Sequence, residues 1–356
     1  MSRRTISLLL VAAALFSACV LYILTPHGIG LGFDSAIYLD AAQNLWIHHR
    51  FATTMPDGSL FPLTHYPPLF PLFLVIGKIT AGSWIAGARF INAVFFGLNI
   101  ALMGLLLLAF GGVPLAGAIL AMMIASLSVA MLSVHTMALS EPLGLFFGFL
   151  GFGFLLRPLK NHPRLHLAIA AICFALASLA RYANVTFLVT SLGYMPWCRI
   201  RDHKYSHFLT GMAFSLLGFA PMALLFLRNY LLTGNAFHRS VYFHPQTLLA
   251  ALRQMVRTLA VWVCQSSELG RPCAVIAVII VISVIVIPGR TELQRLLKFF
   301  IGVYLATLLF TLSWVDAGFH LVNLSPRRQE TDNWFYQTFF LSVQGFHKLA
   351  DDLKYM

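Results

Sequence analysis

Long apolar runs separated by short polar segments dominate the chain. They extend over about Ile6–Leu24, Ala86–Phe110, Pro114–Val134, Leu143–Leu156, Leu165–Trp197, a run ending near Arg228, Arg271–Ile287 and Leu296–Trp314. Arg181 divides the run from Leu165 to Trp197 into two short helices. The alternating pattern of an outer-membrane barrel is missing. The pattern therefore predicts an all-α polytopic membrane protein with about nine transmembrane helices.

The polar stretch after the first run interrupts this pattern. We assign residues 26–85 to a first extracytoplasmic loop that contains interfacial helices. Within it, the segment from Tyr66 to Thr80 is apolar for only about 14 residues, whereas a bilayer crossing needs about 20. Prolines at its start also favour a new element there. We therefore expect this segment to be an interfacial or re-entrant helix.

Composition supports the membrane class. Hydrophobic residues make up 59% of the 356 residues, charged residues only 10%, and the mean hydropathy is +0.81. A soluble domain usually has about 25% charged residues. The net charge of +12 lies in short loops between apolar runs, so we read it as a determinant of orientation and expect no nucleic-acid partner.

The basic loops predict the orientation. Arg157–His166, Arg199–His207 and Arg290–Lys298 are rich in Lys and Arg, and Ser2-Arg3-Arg4 precedes the first span. The positive-inside rule places all four segments in the cytoplasm. We expect an integral protein of a bacterial inner membrane, with a cytoplasmic N-terminus and an extracytoplasmic active face.

This orientation gathers several ionisable residues on the outer side. They are Asp34, Asp40, His65, Glu141, Arg181, Arg228 and Asp316. Charges near a membrane are costly unless they serve a site or pathway. Cys264 and Cys273 could meet in a disulfide, although the cysteines show no spacing typical of a zinc site.

Asp34 is the candidate catalytic base in the first loop. It could deprotonate an acceptor hydroxyl or amine, or it could cap a helix that begins near Ser35. Asp40 lies six residues later, on another helix face, so the two acids should not form a dyad. Its alternative role is a solvated polar position.

The other candidates have alternatives of their own. His65 could contact phosphate or position an acceptor, or belong with Tyr66 to an interfacial aromatic belt. Glu141 could hold a sugar or metal, or simply complement a helix N-terminus. Arg181-Tyr182 and Arg228 could bind phosphate, although snorkelling and ion pairing also explain the arginines. No metal-ligand cluster at zinc spacing and no phosphate-binding glycine loop occur, so we predict no metal ligands, and a divalent-metal requirement stays open.

Several segments resemble the GT-C superfamily of membrane glycosyltransferases. The similarity is strongest to the protein-mannosyltransferase and aminoarabinose-transferase branch, family 39. It is carried by Phe33–Leu45, His65–Leu74, Ala88–Asn92, Leu139–Leu143, Leu179–Ala183 and Arg228–Gly234. The resemblance implies a GT-C fold over residues 1–316.

This resemblance also implies a reaction. A sugar would pass from a polyprenyl-phosphate donor to an extracytoplasmic lipid, glycan or protein, with Asp34 as general base. Glu141 would line the sugar cavity, and Arg181 and Arg228 would hold the lipid phosphate. Asp40, His65 and Tyr182 complete the expected binding set, and no cofactor beyond the lipid-linked donor is implied. The alternatives are a transporter or flippase of a lipid-linked glycan and an inactive scaffold.

The C-terminal part departs from the family pattern. After Ser313–Asp316 the sequence turns polar at Ser325–Asp332 and then amphipathic from Trp334 to Leu353. We treat residues 317–356 as a separate polar and amphipathic tail, with truncation or an altered frame near Asn323 as an expectation.

Overall fold

The computed structural model describes residues 3–157, 163–202, 208–234, 236, 247–264, 270–286 and 288–314. The helices are α1 Arg3–Leu24, α2 Phe33–His48, α3 Leu69–Ala81, α4 Trp84–Phe110, α5 Leu115–Leu127, α6 Val129–His135, α7 Glu141–Leu156, α8 Pro163–Ala180, α9 Val185–Asp202, α10 Phe208–Gly218, α11 Ala220–Thr233, α12 Leu248–Cys264, α13 Gly270–Val286 and α14 Glu292–Trp314. A 3₁₀ helix covers Tyr182–Asn184, and strands β1 Ala52–Thr54 and β2 Leu60–Pro62 pair in antiparallel fashion. The fold is that of an all-helical polytopic membrane protein, as the apolar pattern predicted.

Few of the described helices are long enough to cross a bilayer unaided. Three pass on length and hydropathy, namely 4–24, 84–110 and 212–233, and a fourth passes if α5 and α6 form one broken span. This is fewer than the predicted nine, because α7, α8 and α13 contribute shorter apolar segments. At about 1.5 Å per residue, a 16-residue helix such as α7 spans only about 24 Å.

The span predicted over 114–134 is bent. Helices α5 and α6 meet at Ser128 with an angle of 55° between them. Ser128 has extended backbone angles, so the helical hydrogen-bond ladder is interrupted there. The bend delivers the end of α6 to the loop that precedes α7.

Loops predicted on the same side of the membrane meet in space. Gly30, after α1, forms a parallel bridge with Met137, after α6. Gly112, after α4, lies near Thr291, which precedes α14. Since α4 runs between these two places, this pair of loops predicted outside and this pair predicted inside lie at opposite ends of α4.

The first loop folds into a small layer over the end of the helices that the sequence predicts to be outside. It contains α2, the hairpin of β1 and β2, and α3, which is 13 residues long and too short to span, as predicted. Tyr38, Phe70 and Leu74 are almost fully buried in the core beneath this layer, together with Ala88 of α4. The loop is therefore a packed platform that can hold side chains in place.

Close helix contacts fix this platform to the bundle. A Cβ atom built on Gly87 of α4 would lie 2.4 Å from the carbonyl carbon of Gly77 in α3, so only glycine permits this approach. Elsewhere, Phe152, Phe174 and Phe187 form an aromatic core among α7, α8 and α9. Asp316 and the predicted tail 317–356 lie outside the described residues.

Candidate active site

Asp34 lies in the first turn of α2, on the face turned towards the bundle. The helix begins at Phe33 with Gly32 as its N-cap residue, so Asp34 is not the cap that the sequence offered as an alternative. Ser35 accepts the Gly32 N–H through Oγ at 3.0 Å instead. The carboxylate of Asp34 accepts a hydrogen bond from the Tyr66 hydroxyl at 2.6 Å through Oδ1. The acid is thus held by a side chain from the far end of the same loop.

Arg181 stands next to two carboxylates. Its Nη1 atom lies 2.5 Å from Glu141 Oε1 and 3.9 Å from Asp34 Oδ2. The first distance is a charge-assisted hydrogen bond, whereas the second is an ion pair without one. The side chains of Arg181, Asp34 and Glu141 are 36%, 33% and 25% exposed, so all three remain accessible to a ligand.

The local backbone explains why these three side chains meet. Arg181 has an extended backbone conformation between α8 and the 3₁₀ helix, so it belongs to neither helix. Glu141 is the first residue of α7, where a negative charge is favourable. The segments before α2 and α7 are joined by two backbone hydrogen bonds, from Gly30 N–H to Thr136 and from Ala138 N–H to Gly30, at 2.8 and 2.9 Å.

The electrostatics of the group keep Arg181 charged. Burial alone would lower the pKa of its guanidinium, but Glu141, Tyr38 and Asp34 outweigh burial, and the pKa is raised. Tyr38 is buried beside them and bonds Ser140 at 2.9 Å. Burial raises the pKa of the Tyr38 phenol well above its ordinary value, so this hydroxyl stays neutral. Tyr304 of α14 also lies close enough to Arg181 and Glu141 to interact electrostatically with both.

Arg228 and Tyr182 do not join the carboxylates but hold the first loop. Arg228 donates to the main-chain oxygens of Leu63 and Phe51, each at 3.0 Å. The Tyr182 hydroxyl donates to the Thr64 oxygen at 2.9 Å, and burial raises its pKa to about 12. Asn229, which follows Arg228, donates to the same oxygen at 3.0 Å. We call Tyr182, Arg228 and Asn229 the loop clasp.

Asp40 and His65 have surroundings of a different kind. Asp40 accepts hydrogen bonds from Thr53 and Thr54 at 2.7 to 2.8 Å and from Asn44 at 3.2 Å, which ties α2 to strand β1. These contacts replace the solvated position offered as its alternative. His65 packs its ring against that of Tyr66, with centroids 4.7 Å apart. Binding roles for both residues remain predictions.

Among the described residues, no group of three or more His, Cys, Asp and Glu side chains is arranged to hold a metal ion. The Oε2 atom of Glu141 is buried and accepts no hydrogen bond from these residues. A buried acceptor of this kind has unused hydrogen-bonding capacity.

Sequence reasoning missed several residues of this region. Tyr66 was read only as an aromatic neighbour of His65, and Asn229 only as part of a motif. Tyr38 and Tyr304 were not selected at all. A hydroxyl or amide has no charge to mark it against an apolar background, so the composition argument that found the acids and arginines could not find these groups.

The fold of this protein is similar to those of two solved structures. The sequence matches no family model and no curated protein. The structure is similar to the oligosaccharyltransferase of Archaeoglobus fulgidus, crystallised with a tethered acceptor peptide containing the NVT sequon, at 14% identity and a TM-score of 0.48. It is also similar to ArnT from Cupriavidus metallidurans bound to undecaprenyl phosphate, at 14% identity and a TM-score of 0.47. Both are GT-C family glycosyltransferases, the superfamily that the sequence resembles.

The aligned region is a larger share of this chain than of either of the two similar proteins. The first covers 86% of this chain and 49% of the oligosaccharyltransferase, and the second covers 97% of this chain and 64% of ArnT. This chain therefore spans about half the length of one of these proteins and just under two thirds of the other.

Proposed function

We propose that this protein transfers a sugar from a polyprenyl-phosphate donor to an acceptor on the extracytoplasmic side of the membrane. The observation that carries the proposal is the group of Asp34, Glu141 and Arg181 at the outer end of the helices. It combines a candidate base, a cation for phosphate and an unused acceptor within a few ångströms. A lipid-linked donor suits an integral membrane protein, since its tail can stay in the bilayer.

Asp34 is the base in this proposal. Oδ1 is held by Tyr66, which leaves Oδ2 to take the proton of an acceptor hydroxyl or amine. The deprotonated acceptor forms a bond to the anomeric carbon while the bond from that carbon to the phosphate oxygen breaks. The bonding pair leaves with the lipid phosphate, and a single displacement inverts the anomeric centre.

Arg181 stabilises the leaving phosphate. Negative charge grows on the phosphate as the glycosidic bond breaks, and a guanidinium already in place lowers the energy of that state. Arg181 is occupied by Glu141 through a single nitrogen, so its other N–H groups can bind phosphate oxygens. Binding of phosphate would also draw Arg181 away from Glu141 and free that carboxylate for sugar hydroxyls.

The test is transfer by purified protein in proteoliposomes supplied with a polyprenyl-phosphate sugar and a candidate acceptor lipid. We expect Asp34→Asn to lower the transfer rate at least about 100-fold, because the base is lost while the size of the side chain is kept. Asp57→Asn is the matched control, since Asp57 lies at the exposed tip of the hairpin in the same loop.

Two outcomes would contradict the proposal. One is full transfer by Asp34→Asn. The other is movement of the lipid-linked sugar across the bilayer without transfer, which would make the protein a transporter instead.

A further inference from the structure

Asp34, the proposed base, has an uncharged hydrogen-bond partner, Tyr66. Tyr66 lies 32 residues after Asp34, yet its hydroxyl donates to Asp34 at 2.6 Å. Tyr66 is only 8% exposed, and its ring packs edge-on against Tyr38, with ring centroids 5.0 Å apart. A ring packed in this way cannot follow the carboxylate if Asp34 changes its rotamer.

The main chain that carries Tyr66 is itself held from outside the loop. Thr64 presents its carbonyl oxygen to two clasp residues, Tyr182 and Asn229, at 2.9 and 3.0 Å. Arg228 binds the preceding carbonyl, that of Leu63, at 3.0 Å. Three side chains from two distant parts of the sequence thus fix the two consecutive peptide groups that lead from Leu63 to His65, directly ahead of Tyr66.

The carboxylate of Asp34 is subject to a competing attraction. Arg181 Nη1 lies 3.9 Å from Asp34 Oδ2, slightly beyond hydrogen-bond range, although the charges are opposite. A small side-chain rotation could close this gap and form a direct ion pair. Such a pair would consume both the base and the phosphate-binding cation.

We propose that Tyr66 is a positioning residue that holds Asp34 away from Arg181, and that the loop clasp sets the place of Tyr66. The proposal rests on the proposed function, because it concerns how the base and the phosphate anchor are kept apart. Tyr66 supplies the one hydrogen bond that Asp34 Oδ1 accepts from a described side chain, so loss of the hydroxyl frees Asp34 to pair with Arg181. Asp34 then competes with phosphate for the same guanidinium.

The experiment measures binding of polyprenyl phosphate to the full-length protein in detergent, together with kcat for transfer. Tyr66→Phe removes one oxygen and keeps the packed ring. We expect its affinity for polyprenyl phosphate to fall about 10-fold and its kcat to fall as well, since hydrogen bonds to charged groups are among the stronger ones. Tyr230→Phe is the matched control, because Tyr230 is an exposed tyrosine in α11, the helix that carries Arg228 and Asn229.

A double-mutant cycle separates this role from a general loss of structure. In the Asp34→Asn background, Tyr66→Phe should leave phosphate affinity unchanged, because no carboxylate is left to compete. Asn229→Ala keeps Asp34 and Tyr66 but loosens the clasp, and we expect it to weaken phosphate binding in the same Asp34-dependent manner.

The outcomes also distinguish the two proposals. Wild-type phosphate affinity in Tyr66→Phe, or the same loss in both backgrounds, overturns the positioning role while the proposed transfer stands on the Asp34→Asn result. Failure of the wild-type protein to bind polyprenyl phosphate overturns both.

Discussion

At the scale of the residue, Arg181 shows why the type of cation matters. Its Nη1 atom donates a hydrogen bond to Glu141 and faces Asp34, while the planar guanidinium has further N–H groups for a ligand. Lysine has the same charge but presents it as a single point on a flexible stem. It cannot contact a carboxylate and two phosphate oxygens in the same fixed geometry.

Arg181→Lys should therefore lower kcat/KM for the lipid-linked donor about 100-fold, the scale expected when a preorganised donor to a leaving oxygen is removed. Steady-state transfer assays over a range of donor concentrations measure this. Arg89→Lys is the control. Arg89 binds the end of α1 through the Tyr22 carbonyl, at the same end of the molecule but away from the carboxylates. Equal rates for Arg181→Lys and the wild type would remove Arg181 from the mechanism.

At the scale of the element, the approach of α3 to α4 determines where the first loop sits. A Cβ on Gly87 would meet main-chain atoms of Gly77 and Lys78 at 2.4 to 2.7 Å, and main chain cannot move aside as a flexible side chain can. The platform that carries Asp34 and Tyr66 is packed on this helical pair through Phe70, Leu74 and the other members of the same core. Its position therefore depends on a contact remote from the chemistry.

Gly87→Ala should destabilise the protein by about 1 to 3 kcal/mol through overpacking. Loss of folded protein on heating in detergent, followed by size-exclusion chromatography, reports the change. Gly302→Ala is the matched control, since a Cβ there meets nothing within 4 Å and alanine favours a helix. An unchanged thermal profile for Gly87→Ala would show that α3 can separate from α4 without cost.

The elements also show what the sequence could predict and why. Hydropathy located α4 to within two residues of its start, and the short, proline-led segment correctly indicated a helix unable to span. The bend at Ser128 escaped prediction, because the residues around it, from Ala118 to Val134, include no proline or glycine. The hairpin and α12 were also missed.

For the candidate site, the charge pattern of the sequence predicts Asp34, Glu141 and Arg181 on one side of the membrane. It could not foresee that Arg228 would bind main-chain carbonyls. A contact of that kind depends on the fold of a loop more than 160 residues away in sequence. Tyr66 was hidden because its hydroxyl carries no charge and meets Asp34 only once the first loop is folded.

At the scale of the whole molecule, a disulfide bears on the orientation. Cys273 is disulfide-bonded and lies near the start of α13, the end predicted outside by the basic loops. Disulfides persist in oxidising compartments. The disulfide of Cys273 and the positive-inside rule therefore both favour an extracytoplasmic position for the start of α13. The side chains of Cys198 and Cys264 lie outside the described residues.

We expect Cys273 to resist alkylation in denatured, unreduced protein, and Cys19 and Cys173, which are free, to react. Peptide mapping after iodoacetamide treatment, with and without reductant, checks this site by site. Cys173 is the internal control, because it is buried in the fold and should react only after denaturation. Alkylation of Cys273 without reductant would contradict the disulfide and remove its support for the predicted orientation.

The backbone bridge between the loops after α1 and α6 bears on how the candidate site responds to the thickness of the bilayer. Helices tilt when the bilayer thickens or thins, and side chains on separate helices would then drift apart. Asp34 follows Gly30 by four residues and Glu141 follows Ala138 by three, and two main-chain hydrogen bonds join these segments. The two acids are thus mounted on one common frame, so their spacing should be insensitive to the thickness of the membrane around them.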